Sequence, residues 1–162
     1  DFGKDNYAGV TFNGEPNGRR IFIGWMANWL DVKNHPETSW TCQMTVPRIL
    51  GLTLYKNELV VTQQPICEQT YEILEDVPQS GSVELTGFAK VGYNADRKVI
   101  FINDYEAPYE PTSEKIHLKV WVDNSSVELF TADGVRSISL TLFPPLGMTR
   151  ELIPVSLEDT VS

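Results

Sequence analysis

Apolar residues recur at every second position in short runs, and helical spacing is weak throughout. Ser82-Val83-Glu84-Leu85-Thr86-Gly87-Phe88 alternates cleanly, and Arg136 to Phe143 does so again. A period of two puts alternate side chains on opposite faces of a strand. Such a chain buries its apolar set only by packing sheet on sheet. The expected class is all-β, built from antiparallel strands.

The strands fall into two groups. Tyr7 to Phe12 and Arg20 to Ala27 flank the turn signal Asn13-Gly14-Glu15-Pro16-Asn17-Gly18, so they read as a hairpin. A polar loop, Leu30 to Ser39, holds His35-Pro36. A third strand lies in Thr41 to Leu54, with Pro47 at a bend or edge. Tyr55-Lys56-Asn57-Glu58 is a tight turn into a fourth strand, Leu59 to Gln63. Four antiparallel strands in this length make a unit the size of one propeller blade. The boundaries expected are a blade over 1–66, a linker over 67–79 and a β-sandwich over 80–162. In the sandwich, Val91-Gly92-Tyr93 and Lys98 to Ile102 form a hairpin. Tyr105 to Ser113 reads as a Pro-rich loop. Lys115 to Val122 and Ser126 to Thr131 are strands joined through Asp123-Asn124-Ser125, and Ala132-Asp133-Gly134 is a turn.

Charge and cysteine content narrow the function. The 162 residues carry a net charge of −9, and Arg19-Arg20 is the only adjacent basic pair. Nucleic acid and anionic membrane surfaces are therefore poor partners. No apolar run reaches the roughly 18 residues that span a bilayer. Cys42 and Cys67 are too few for a disulfide framework. They read as two buried thiols, with a single bridge between neighbouring strands as the alternative. His35 and His117 suggest no metal site, and no cofactor is implied. With no initiator Met and a strand opening within ten residues, the sequence reads as an internal cut.

Three stretches in order then resemble one family. They are Asp1-Phe2-Gly3-Lys4-Asp5-Asn6-Tyr7-Ala8-Gly9, Gly24-Trp25-Met26-Ala27-Asn28-Trp29, and Met44-Thr45-Val46-Pro47-Arg48. They look like the last propeller blade of glycoside hydrolase family 32, of the levanase, exo-inulinase and invertase type. Val120 to Phe130, Asp133-Gly134 and Leu142-Phe143-Pro144 resemble the C-terminal sandwich of the same family. The resemblance implies a five-bladed propeller followed by a sandwich, and cleavage of β-fructosidic bonds in sucrose, inulin or levan with retention. It also implies that the sandwich here is shortened between Val77 and Val91.

The family's reactive acids sit in Asn-Asp-Pro-Asn-Gly, Arg-Asp-Pro and Glu-Cys motifs, and none of these occurs in this sequence. Gly14-Glu15-Pro16-Asn17-Gly18 mimics the first but falls where a hairpin turn belongs. Cys67-Glu68 reverses the last. No catalytic residue is therefore assigned. In an up-and-down blade, the segment before the first strand and the loop after the second share a rim. Asp1, Lys4, Asn28, Trp29 and Trp40 are thus the candidate substrate-binding residues. Charged pairs hydrogen-bond sugar hydroxyls, and indole faces pack on C–H surfaces. For Asp1 and Lys4 the competing reading is an exposed surface ion pair. Trp25 reads as core, and Asp123 and Glu128 as members of a structural strand pair.

The expected partner is a fructan or sucrose-type carbohydrate. The chain is expected to be inactive alone, and open blade surfaces suggest self-association. The alternative is a non-catalytic fructan-binding or interaction module. The resemblance favours an extracellular or periplasmic location.

Overall fold

The computed structural model describes residues 1–36, 42–66, 71–77, 81–85, 89–113, 116–143 and 152–155. Among these described residues the regular structure is all-β apart from one short 3-10 turn, Val32–Asn34.

The first sheet contains β1 (Tyr7–Thr11), β2 (Arg20–Trp25), β3 (Arg48–Tyr55) and β4 (Glu58–Pro65), paired in chain order as an antiparallel meander. Local chemistry sets its turns. Gly14 and Gly18, between β1 and β2, both lie in the left-handed region, at φ +70° and +71°. Only glycine adopts such angles at little cost. The Glu15 carboxylate accepts the N–H groups of Asn17 and Arg19 at 2.9 and 2.8 Å, so the mimic of the nucleophile motif organises a turn. Lys56 and Asn57 join β3 to β4 as a two-residue loop with both φ angles positive. That geometry matches the twist of a hairpin, and the pairing runs unbroken from Tyr55↔Glu58 to Arg48↔Pro65.

Strands β2 and β3 are shorter than the sequence suggests. Pro47 has no N–H to offer the ladder, and β3 begins only after it. Before it, Met44 makes a single bridge to Trp25. Cys42 therefore lies outside any strand, exposed and free, which corrects its reading as a buried thiol. Cys67, and with it the alternative of a single bridge, lies outside the described residues.

Two further sheets make the sandwich. One has the order β12 (Ser137–Thr141), β11 (Ser126–Thr131), β10 (Ile116–Val122) and β5 (Tyr71–Val77). The other has the order β13 (Leu152–Val155), β6 (Gly81–Leu85), β7 (Ala89–Asn94), β8 (Val99–Ile102) and β9 (Tyr105–Pro108). Val91, Ile100, Ile102, Leu118, Leu129 and Leu140, all fully buried, belong to the core cluster that the two sheets share.

Two expectations fail here. The stretch 67–79 holds strand β5 rather than a plain linker. Its acids Glu72, Glu75 and Asp76 are poor strand formers, and pairing with β10 overrides that preference. The Pro-rich loop 105–113 opens with strand β9. Pro108 is tolerated because β9 is an edge strand.

The polar faces of β11 and β12 are the surprise of the fold. Ser126, Glu128, Ser137, Ser139 and Thr141 alternate with core residues, yet all are buried. Glu128, Ser137, Ser139 and Thr141 meet the blade and its leading segment instead of solvent. Val46 N–H donates to Glu128 Oε1 at 2.8 Å, and Gln43 accepts the Ser125 hydroxyl at 2.9 Å. The blade is thereby docked on the sandwich through hydrogen bonds as well as apolar packing.

Candidate functional site: the rim held by the sandwich

Residues 1–6 run along β12 as an extra partner. Phe2 N–H donates to Ser137 O at 2.8 Å, and Asp5 N–H donates to Ser139 O at 3.2 Å. Gly3 permits this closeness, since a Cβ there would stand 2.1 Å from Ser139 O. The sequence around Gly3 thus fixes where Asp1, Lys4 and Asp5 point.

Lys4 and Asn28 do converge. The Lys4 ammonium pairs with Asp31 and lies 3.9 Å from Asp5. Asp5, fully buried, accepts the Asn28 carboxamide N–H at 2.7 Å on one oxygen and Thr141 N–H at 2.7 Å on the other. Asn28 in turn accepts Leu30 N–H at 2.9 Å and Asp31 N–H at 3.1 Å. This local side-chain cap shapes the loop that follows. Trp29 is 70% exposed, and its ring rests on Trp25 at 5.0 Å between centroids. Trp25 touches Tyr7 in turn, at 6.3 Å. The rim therefore joins an ammonium, two carboxylates and a carboxamide beside an open indole.

Burial alone disfavours the charged forms of Lys4 and Asp31. Their mutual hydrogen bond and charge outweigh it. Lys4 is held above its ordinary value, with Asp5 adding to the effect, and Asp31 is held below its own.

Asp1 goes elsewhere. Its carboxylate accepts Arg48 Nη1 at 2.7 Å, Ser139 Oγ at 2.6 Å and Ser139 N–H at 3.0 Å. It is neither a surface ion pair nor a partner of Lys4. Arg48 is the centre of this second network. Fully buried, it also donates to Glu128 Oε2 at 2.5 Å, Gln63 Oε1 at 2.6 Å and Ser139 Oγ at 2.6 Å. Its guanidinium lies 4.8 Å from the Phe130 ring centre. Burial pulls Arg48 below its ordinary value and pushes Glu128 above its own, and the opposite charge of each partner resists the shift.

Trp40 lies outside the described residues. Asp5, Asp31 and Arg48 were missed as members of these networks. Asp5 and Arg48 lie inside the quoted motifs, so the signal was present. Nothing in the loop sequence marks Asp31. Among the described residues, no group of three His, Cys, Asp or Glu side chains gathers as a metal site, and no helix is long and apolar enough to cross a membrane.

Comparison with known proteins decides the family. The profile described as the glycosyl hydrolases family 32 N-terminal domain matches residues 1–65, and the one for the family 32 C terminal matches residues 48–158. The chain belongs to glycosyl hydrolase family 32. A levanase from Bacillus sp. (strain L7) is 29% identical over 89% of this chain, and the match spans 22% of that protein. The levanase of Bacillus subtilis (strain 168) is 27% identical over the same share, spanning 30% of its length. A sucrose-6-phosphate hydrolase of Staphylococcus xylosus is 26% identical over 88%, spanning 37%. The chain thus covers well under half of these family 32 relatives. Among solved structures, exo-inulinase from Aspergillus awamori shares the fold with a TM-score of 0.78 at 24% identity, over 89% of this chain and 39% of that one. A β-fructofuranosidase from Schwanniomyces occidentalis gives 0.71 at 17%, over 95% and 44%.

Proposed function

We propose that this chain supplies the final blade and sandwich of a β-fructosidase that hydrolyses β-fructosidic bonds in sucrose, inulin or levan, and that these 162 residues alone are inactive. The carrying observation is the succession of the two family 32 domains along the chain. Lys4, Asn28 and Trp29 are the sugar-facing residues in this reading. Lys4 and Asn28 orient hydroxyls, and the Trp29 indole packs on a fructosyl ring. Asp1 acts from behind, holding the leading segment in place. Retaining hydrolysis needs two carboxyl groups about 5 Å apart flanking the bond, one of them protonated. The rim carboxylates do not suit those roles. Asp31, lowered by Lys4, is not the protonated acid and stays paired to that ammonium, and Asp5 is enclosed by Asn28 and Thr141.

The test is fructose release from sucrose, inulin and levan by the purified chain. None is expected, and measurable release overturns the claim of inactivity. Calorimetry with levan oligosaccharides addresses the second reading, a non-catalytic sugar-binding module, which the exposed Trp29 favours. That module would bind, and Trp29→Ala would abolish its heat.

The same chain is expected to self-associate. Leu52 lies opposite Val61 and Leu54 opposite Leu59 on β3 and β4, all more than half exposed. β4 is an edge of its sheet, and apolar edges pair with further strands. Light scattering at micromolar concentration should report a dimer or larger, and Leu54→Lys with Leu59→Lys should return it to monomer. A monomeric mass for the unmodified chain would count against the idea.

A further inference from the structure

A cleft of about 230 Å³, lined by none of the rim residues, opens on the sandwich between the β7–β8 turn and residues 110–113. Tyr93, Lys98, Glu110 and Ser113 supply its polar lining, and Ala95 and Ile116 belong to its apolar part. We propose that this cleft binds one residue of a neutral carbohydrate, as a site separate from the Lys4–Trp29 rim.

The lining chemistry selects the ligand class. A simple anion would have to displace the Glu110 carboxylate from Lys56 and Lys98, and a simple cation would meet both ammonium groups. A wholly apolar ligand would strip water from both charges without replacing their hydrogen bonds. Sugar hydroxyls donate and accept at once, so they satisfy a carboxylate and an ammonium together. The C–H face of the same ring suits Ile116 and Ala95. The size is below that of pockets for drug-sized ligands, which fits a single sugar unit.

The groups are also held in advance. Tyr55 Oη accepts Glu110 N–H at 2.8 Å and donates to Glu110 O at 3.0 Å, fixing that backbone from the blade side. The Glu110 side chain is bridged between Lys56 and Lys98, the latter at 3.4 Å. The Tyr93 ring is packed in the core, at 5% exposure. Burial, then Glu110, holds its phenol above the ordinary value, so it remains a neutral donor. Lys98 itself sits at φ +53°, a conformation that favours glycine. A lysine kept there places an ammonium at the mouth of the cleft.

The experiment is amide NMR of the full 162-residue chain titrated with sucrose, and separately with inorganic phosphate, at millimolar concentrations. Saturable shifts at Tyr93, Lys98 and Glu110 with sucrose are expected. Lys98→Gly and Tyr93→Phe should each weaken them about tenfold. Glycine adopts the required angle freely, and Phe keeps the ring packing, so both variants should stay folded by the spectrum itself. Shifts there with phosphate alone, or undiminished sucrose shifts in both variants, would overturn the proposal. So would sucrose shifts at Asn28 and Trp29 with none at the cleft, an outcome that leaves the rim reading intact.

Discussion

Arg48→Met is expected to cost the chain about 3–5 kcal/mol of stability, because it strands two carboxylates in the interface between blade and sandwich. Glu128 is 1% exposed and Asp1 keeps only 9% of its side chain in solvent. Methionine fills much of the volume but returns none of the hydrogen bonds to Asp1, Gln63, Glu128 and Ser139. For a domain of this size the loss corresponds to a fall in melting temperature of about 10 °C. The effect should depend on pH. Burial already lifts Glu128 above its ordinary value of 4.5, against the pull of Arg48. Without that pull it rises further. A carboxyl whose folded value exceeds its unfolded one favours the fold when protonated, and that contribution is lost as pH rises through the folded value. The deficit of the variant should therefore be smaller in acid, where Glu128 is protonated, and should grow as pH rises through its folded value. Denaturant melts at several pH values give the measurement. Adding Glu128→Leu should recover part of the loss, since replacing a buried pair by apolar groups is far less costly than breaking it. A deficit that stays constant with pH, or a double variant worse than the single, would refute this account.

Arg48 also shows what the sequence hides. The alternation Ser137-Ile138-Ser139-Leu140-Thr141 correctly identifies a strand with Ile138 and Leu140 in the core. Alternation cannot say what covers the other face. Ordinarily that face is wet. Here the blade covers it, and small hydroxyl residues leave room for the Arg48 and Asp1 side chains. The blade itself was legible because its turns are chemically marked, at Gly14–Gly18 and at Lys56-Asn57. β5 was not, since its acids argue against a strand and its pairing partner lies 39 to 50 residues on. The rim was half legible. Lys4 and Asn28 meet through Asp31 and through Asp5, and Asp5 looks like one more surface charge until Thr141 is brought to it by the fold. Long-range partners of this sort leave no local trace.

Asp5→Ala should therefore damage the rim more than any exposed substitution there. Asp5 connects three elements: Lys4 ahead of β1, Asn28 after β2, and Thr141 on β12. Removing it leaves the Thr141 N–H and the Asn28 amide facing a small apolar void. Each lost bond to a charged acceptor is worth about 1.5–3 kcal/mol, partly offset because the carboxylate no longer has to be desolvated. A net loss of about 3 kcal/mol is expected from the two bonds together. Asp5→Asn preserves the shape and one acceptor, so it should lose less. The separation of roles gives the readout. Amide exchange at Thr141 should speed up in the Ala variant because its acceptor is gone. Trp29 fluorescence should move as well, because Asn28 no longer anchors the turn that carries it. Trp29→Ala, by contrast, removes a ring that is mostly in solvent, and should leave both Thr141 exchange and the melting temperature nearly unchanged. If Asp5→Ala melted like the parent chain with Thr141 exchange unaltered, the sandwich would not be what holds the rim, and the blade alone would have to fix Lys4 and Asn28.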